Sequence, residues 1–143
     1  CESVVAIGGD RAQLSGAGLQ VIPDLYPGEG PLGGIVTALE AAPERVRAVF
    51  VASCDLPRLT GAAVHAVLDA LLTEDTADVA IAVTHRDQPL CSAWRPMVLP
   101  TLHRLFASGE RRALSAITDL EVLRVAVPAE VLVNVNTIAD LPE

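Results

Sequence analysis

The sequence predicts an α/β fold, a parallel or mixed β-sheet covered by helices on both faces. Two observations predict it. Short, continuously apolar runs recur, such as Ala48–Ser53 (AVFVAS) and Asp78–Thr84, and such runs mark strands covered on both sides. Between them lie stretches with apolar residues at helical spacing, bounded by Gly and Pro. The composition agrees: 143 residues, 51% hydrophobic and 20% charged, suffice for one domain with its own core. With only 3% aromatic residues, that core must be built from Val, Leu, Ile and Ala.

The elements follow in order. Ser3–Gly8 is apolar, β-branched and ended by Gly8-Gly9, which reads as a buried strand. Leu19–Ile22 is a second strand, closed by Pro23-Asp24. Pro31 stands where a helix places its first residue; Leu32, Ile35, Leu39 and Ala42 recur at helical spacing, and Pro43 stops the helix. Ala48–Ser53 is the most apolar strand. Thr60 caps the next helix, whose stripe is Val64, Val67, Leu68 and Leu71. Asp78–Thr84 is another buried strand, and Pro89–Trp94 alternates more, as a strand near an edge does. Met97–Phe106 and Arg111–Thr118 read as helices, Glu121–Val127 as a strand. Asn134–Asn136 precedes a short terminal helix, with Thr137 and Asp140 spaced as a capping pair. The order is β-β-α-β-α-β-β-α-α-β-α.

A net charge of −8 argues against nonspecific nucleic-acid binding, which needs a basic face. Cys1, Cys54 and Cys91 are an odd count without CxxC spacing, so they read as free thiols in a reducing compartment. No apolar run is long enough to span a bilayer, and no signal-peptide pattern is present, which makes the cytoplasm the expected location. The chain opens on Cys1 without Met, and Ser3–Ile7 already looks like a strand interior; a natural N-terminus further upstream is expected.

In open α/β sheets ligands bind outside the carboxyl ends of the strands. Three features fall there. Asp55, in Ser53-Cys54-Asp55-Leu56-Pro57, follows the most apolar strand, where a carboxylate can hold Mg²⁺ over bound phosphates; a turn or capping role before Pro57 is the alternative. Gly30-Pro31-Leu32-Gly33-Gly34 brings backbone close to something at a helix start, either an anionic ligand or a packed neighbour. Alternation puts Asn134 and Asn136 on one side of an extended segment, where two amides can bond a polar ring or phosphates, or Asn136 caps the helix. Asp24 can take a ribose hydroxyl or simply form a turn after Pro23. Other constellations are missing: no P-loop, no GxGxxG opening a helix, no GxSxG elbow. His65, His85 and His103 lack metal-ligand spacing. Cys54 reads as a small buried residue, and Arg104, Arg111 and Arg112 as a solvated face, though Arg111–Leu114 can touch a phosphate.

Taken together, GPLGGI at Gly30–Ile35, SCDLP at Ser53–Pro57, PLCSAWRP at Pro89–Pro96, RALSAI at Arg112–Ile117 and NVNTIADL at Asn134–Leu141 resemble the molybdenum cofactor guanylyltransferases in order and spacing. The resemblance covers nearly the whole chain. It implies a three-layer α/β/α sandwich with a mostly parallel, Rossmann-like sheet, of the nucleotide-diphospho-sugar-transferase kind. It also implies a reaction: with Mg²⁺, GMP passes from GTP to the phosphate of molybdopterin or its molybdenum-loaded form, and pyrophosphate leaves. By resemblance Asp55 is the metal-binding and catalytic residue. Asp24, Gly30, Pro31, Leu32 and, in uncertain register, Asp10 of the Gly8-Gly9-Asp10 turn contact the nucleotide. Asn134 and Asn136 lie at the pterin side. Transient contacts with cofactor-biosynthesis or acceptor proteins are implied too, without nucleic acid or membrane. The family's N-terminal glycine-rich LAGG-type loop and its Lys are absent from these 143 residues, so activity is expected of a longer parent protein. Two other readings stay open: a cytidylyltransferase or other small-molecule nucleotidyltransferase, and a non-catalytic cofactor-binding or regulatory domain.

Overall fold

The computed structural model describes residues 3–135. In chain order the elements are β1 (Val5–Ile7), α1 (Arg11–Gly16), β2 (Gln20–Ile22), α2 (Pro31–Glu40), β3 (Val49–Ala52), α3 (Gly61–Thr73), β4 (Val79–Val83), β5 (Asp87–Trp94), α4 (Leu99–Ala107), α5 (Ala113–Ala116) and β6 (Val122–Ala126). A 3₁₀ turn, Pro96–Val98, leads into α4, and another, Ala129–Leu132, follows β6.

Four strands form one sheet in the order β3-β5-β4-β6. β5 runs antiparallel to both β3 and β4, while β4 and β6 are parallel, so three of the four strands share one direction. β1 and β2 pair in parallel as a separate two-stranded sheet. In β4, Val79 and Ile81 enter a core with Leu32, Ile35, Val36, Trp94 and Leu102. Ala80 and Ala82 point the other way, into a core with Val67, Leu71, Cys91 and Ala93. The period of two thus splits the interior into two apolar layers, one under α2, α4 and α5 and one under α3. This is the expected α/β/α sandwich.

Local chemistry sets the boundaries. Thr60 accepts from Ala63 N at 3.3 Å and starts α3, as expected. Arg95 braces its end: its guanidinium donates to Leu71 O (2.8 Å) and Glu74 O (3.1 Å) at the helix terminus and to Ala77 O (2.8 Å) in the turn that follows. Register between β4 and β5 slips between Ile81 and Ala82. Pro89 and Leu90 lie in the slipped stretch; Pro has no N–H to give the ladder.

Several expectations need correction. Pro89–Trp94 lies within β5, next to the edge strand β3 as expected, but its end from Cys91 to Trp94 is buried. Its alternation reflects two different core layers rather than a wet face. Ala48–Ser53 meets both apolar layers, Val49 and Val51 on one side and Ala48 and Phe50 on the other, but it is not fully buried. β3 is the edge strand, and Val49, Phe50 and Val51 are only half-buried. Ser3–Gly8 is not a buried strand either, since Val4 is 69% exposed and β1 has only β2 as a partner among the described residues. The spacing also missed α1, whose signal is Asp10 four residues before Leu14: Asp10 Oδ1 accepts from Gln13 N at 2.9 Å. Arg111–Thr118 contracts to the four residues of α5. Thr137, Asp140 and the expected terminal helix lie outside the described residues.

Candidate active site

β3, β4 and β6 share one direction, so their carboxyl ends fall on one edge of the sheet. The chain leaves β3 at Ala52 and reaches Asp55 in a turn. It leaves β6 at Ala126 and, after the 3₁₀ turn, reaches Asn134. There the two meet. Asn134 Nδ2 donates to Asp55 Oδ2 at 2.8 Å, and Val135 N donates to Asp55 O at 2.9 Å. The other carboxylate oxygen, Asp55 Oδ1, is buried without a hydrogen-bond partner. A carboxylate oxygen so placed is costly unless a donor or cation meets it. Asp55 is therefore no simple turn residue. It faces a cleft of about 320 Å³ whose lining includes Ser53, Arg86, Gln88, Leu90, Leu114 and Asn134. Asp87 and Leu114 also line an adjoining hollow of about 540 Å³.

The second expected group sits at the entry to α2. Asp24 is half-buried; its Oδ1 accepts from Tyr26 N (2.9 Å) and from Thr37 Oγ1 (3.2 Å). Thr37, nearly fully buried, also accepts from Leu25 N at 3.2 Å. Asp24 thus fixes the loop against α2. Gly8 N donates to Ile22 O at 2.8 Å, so the Gly8-Gly9-Asp10 turn lies beside Asp24, although Oδ1 of Asp10 serves as the cap of α1.

The glycines of this loop answer first to packing. Gly30 has φ +83°, and a Cβ there would lie 3.0 Å from Arg111 O. A Cβ on Gly33 would lie 2.9 Å from Tyr26 Cβ. The Leu32 N–H, free for an anion in the sequence reading, donates to Arg111 O at 3.1 Å. Gly34 meets nothing within 4 Å. Protein neighbours therefore account for Gly30 and Gly33.

Arg111 is the residue that the sequence reading undervalued. Though partly solvated, it is tied down: Nε pairs with Glu29 at 2.6 Å, Nη1 donates to Phe106 O at 2.7 Å, and the guanidinium lies 3.9 Å above the Phe106 ring. It holds the Gly30 loop against the segment that ends at Leu114, and Leu114 lines the Asp55 cleft. Glu110 braces the same turn; backbone N–H groups of Arg112 and Arg111 hold its carboxyl down to about 2. Only the pair of adjacent arginines before an apolar helix start signalled this region.

Cys54 is exposed, against the expectation of burial; Cys91 is buried, and burial pushes its thiol up to about 11. Both are free thiols. His65, His85 and His103 are all exposed, as expected, and His103 pairs with Glu40 at 2.6 Å. Asn136 lies outside the described residues, so the structure brings together Asp55 and Asn134 and leaves the second amide undescribed. No group of three His, Cys, Asp or Glu among the described residues can hold a metal by itself. Among them no helix is long and apolar enough to cross a membrane.

A carboxylate with one orphaned oxygen, set at the carboxyl edge of an α/β/α sheet, marks the ligand-binding edge of an α/β domain. Comparison makes this specific: the chain belongs to the family described as MobA-like NTP transferase domain, which matches residues 1–136. It is 37% identical over 128 residues to a Deinococcus radiodurans protein named "Probable molybdenum cofactor guanylyltransferase", covering 88% of this chain and 65% of that one. It is 32% identical over 142 residues to the "Molybdenum cofactor guanylyltransferase" of Cereibacter sphaeroides, covering 98% and 72%. The chain thus spans about two thirds of the length of these two relatives. A solved Aquifex aeolicus protein superposes with a TM-score of 0.82 at 25% identity, covering 95% of this chain and 72% of that one.

Proposed function

We propose that this chain serves nucleotidyl transfer: GMP passes from GTP to the terminal phosphate of molybdopterin or its molybdenum-loaded form. An acceptor phosphate oxygen attacks the α-phosphorus of GTP, the bond from that phosphorus to the oxygen bridging the β-phosphate breaks, and pyrophosphate leaves with the electron pair. The reading rests on one observation above the rest, the buried, unpartnered Oδ1 of Asp55 beside its Asn134-bonded Oδ2. The relatives' names support the choice of nucleotide and acceptor.

Mg²⁺ fits this donor set. It takes one or two carboxylates and completes its shell with water and phosphates, so a lone Asp55 suffices. When bound, it neutralises charge developing on the phosphates. The chain's own residues then position. Asn134 fixes one Asp55 oxygen and so aims the other. Asp24, on the loop it pins, is set to accept from a ribose hydroxyl. Gly30 and Pro31 shape the nucleotide wall, Leu32 anchors that turn from the core rather than touching the ligand, and Asp10 stands near the base. Asn134 serves the pterin side, and the family resemblance gives Asn136 the same role. Free thiols fit a cytoplasmic location.

The test is transfer of radiolabel from GTP by the full-length protein with molybdopterin, molybdate and Mg²⁺, beside Asp55→Ala and a CTP control. Label on the pterin with wild type only supports the reading. Transfer from CTP reassigns the base, and no transfer by folded protein defeats the enzymatic claim.

A further inference from the structure

The cleft's charges do not all cancel. Three charged residues line it: Asp55, Arg86 and Asp87. Asp87 is already matched, for the Arg124 guanidinium grips both of its oxygens at 2.9–3.2 Å. Asp55 is bonded only to a neutral amide. Arg86 is exposed in the turn between β4 and β5, and among the described residues its guanidinium makes no hydrogen bond or ion pair. By contrast, Arg95, Arg111 and Arg124 are all spent on internal partners. An acidic chain thus holds one unspent guanidinium on the same cleft as its unspent carboxylate.

We infer that Arg86 binds the phosphate group of the acceptor, as a substrate-contacting residue of this cleft. A guanidinium suits a phosphate because its fork matches two oxygens at once. The acceptor, rather than the nucleotide, is the partner because Arg86 shares the cleft with Asn134 and with Leu56, Leu90, Leu114 and Leu132. Apolar walls with a few placed polar groups suit a flat ring carrying an anionic tail. Asp24 and the Gly30 loop, by contrast, do not line this cleft. The choice of acceptor rests on the reading above; the anion site itself does not.

Two measurements on the full-length protein separate those claims. The first follows the Arg86 Nε–Hε resonance by ¹⁵N NMR during titration with inorganic phosphate, an experiment that needs no turnover. The assignment comes from the signal lost in Arg86→Gln, with unchanged backbone spectra confirming the fold. A saturable shift supports the anion site even if wild type transfers no nucleotide; an unmoved resonance overturns it. The second measures KM for molybdopterin and for GTP in wild type, Arg86→Gln and Arg86→Lys. The acceptor KM should rise about 10- to 100-fold in Arg86→Gln, with the GTP KM within about twofold and partial recovery in Arg86→Lys. A rise confined to the GTP KM would move Arg86 to the nucleotide side, and two unchanged KM values would overturn the acceptor assignment.

Discussion

The side-chain amide of Asn134 donates to Asp55 Oδ2 at 2.8 Å, joining residues 79 positions apart. The bond unites two expectations that the sequence held separately, a metal carboxylate and a pterin-side amide. Asn134→Ala removes the donor while leaving Asp55 in place. Because a hydrogen bond to a charged group contributes about 1.5–3 kcal/mol, transfer should fall about 10- to 100-fold. The Mg²⁺ concentration for half-maximal rate should rise. Steady-state kinetics across a Mg²⁺ series checks both; an unchanged Mg²⁺ dependence would detach Asn134 from the metal carboxylate.

Neighbouring glycines in α2 should respond in opposite ways. Gly33→Ala drives a Cβ to 2.9 Å from Tyr26 Cβ, and overpacking of this kind costs about 1–3 kcal/mol. Gly34→Ala meets open space in a helical turn and should gain roughly 0.5–1 kcal/mol. Urea denaturation of both variants decides it, and equal effects would refute the packing account of Gly33.

Trp94, the single tryptophan, is fully buried, and its indole Nε1 donates to Ser92 Oγ at 2.7 Å. Ser92 Oγ in turn donates to Pro89 O at 2.7 Å. Ser92→Ala strands both the indole N–H and that carbonyl, with an expected loss of about 1–3 kcal/mol per stranded group. Intrinsic fluorescence reports the unfolding midpoint and the altered indole environment in one measurement.

Glu110 titrates at about 2, held down by backbone N–H groups of Arg112 and Arg111. An unfolded glutamate titrates near about 4.3. The folded value is the lower one, so the charged form contributes stability that is present above the unfolded value. It is lost as pH falls through roughly 4.3 towards 2. Glu110→Gln should therefore flatten the acid limb of stability and leave the neutral-pH limb nearly parallel to wild type. Carboxyl ¹³C titration gives the midpoint directly; a midpoint near 4 would discard the assignment.

The layered fold was legible because period-two and helical spacings were clean in β4, α2 and α3. Edge and centre were harder: β3 is more apolar than β5, yet β5 takes the inner place and β3 the edge. Apolar content reports burial by helices as well as by strands, so it cannot rank strands within a sheet. At the site, Asp55 was visible because a carboxylate after an apolar strand is chemically conspicuous. Its contact with Asn134 was not, since sequence carries no distance between loops. Arg86 and Arg111 look alike as letters; only their surroundings distinguish an unspent cation from a structural clamp.

The pairing of β1 and β2 apart from the larger sheet has a consequence for native-state amide exchange. Among the described residues no ladder bond ties this pair to β3, and its main anchors are α1 and the Asp24–Thr37 knot on α2. Opening there breaks a handful of bonds and leaves both apolar layers intact. Amides of Ala6, Ile7, Val21 and Ile22 should exchange through sub-global openings, well ahead of Ala80 and Ala93. Asp24 belongs to that looser unit and Asp55 to the tighter one. Slowed exchange around Asp24 on nucleotide binding would then show that part of the binding free energy goes into ordering one wall of the site.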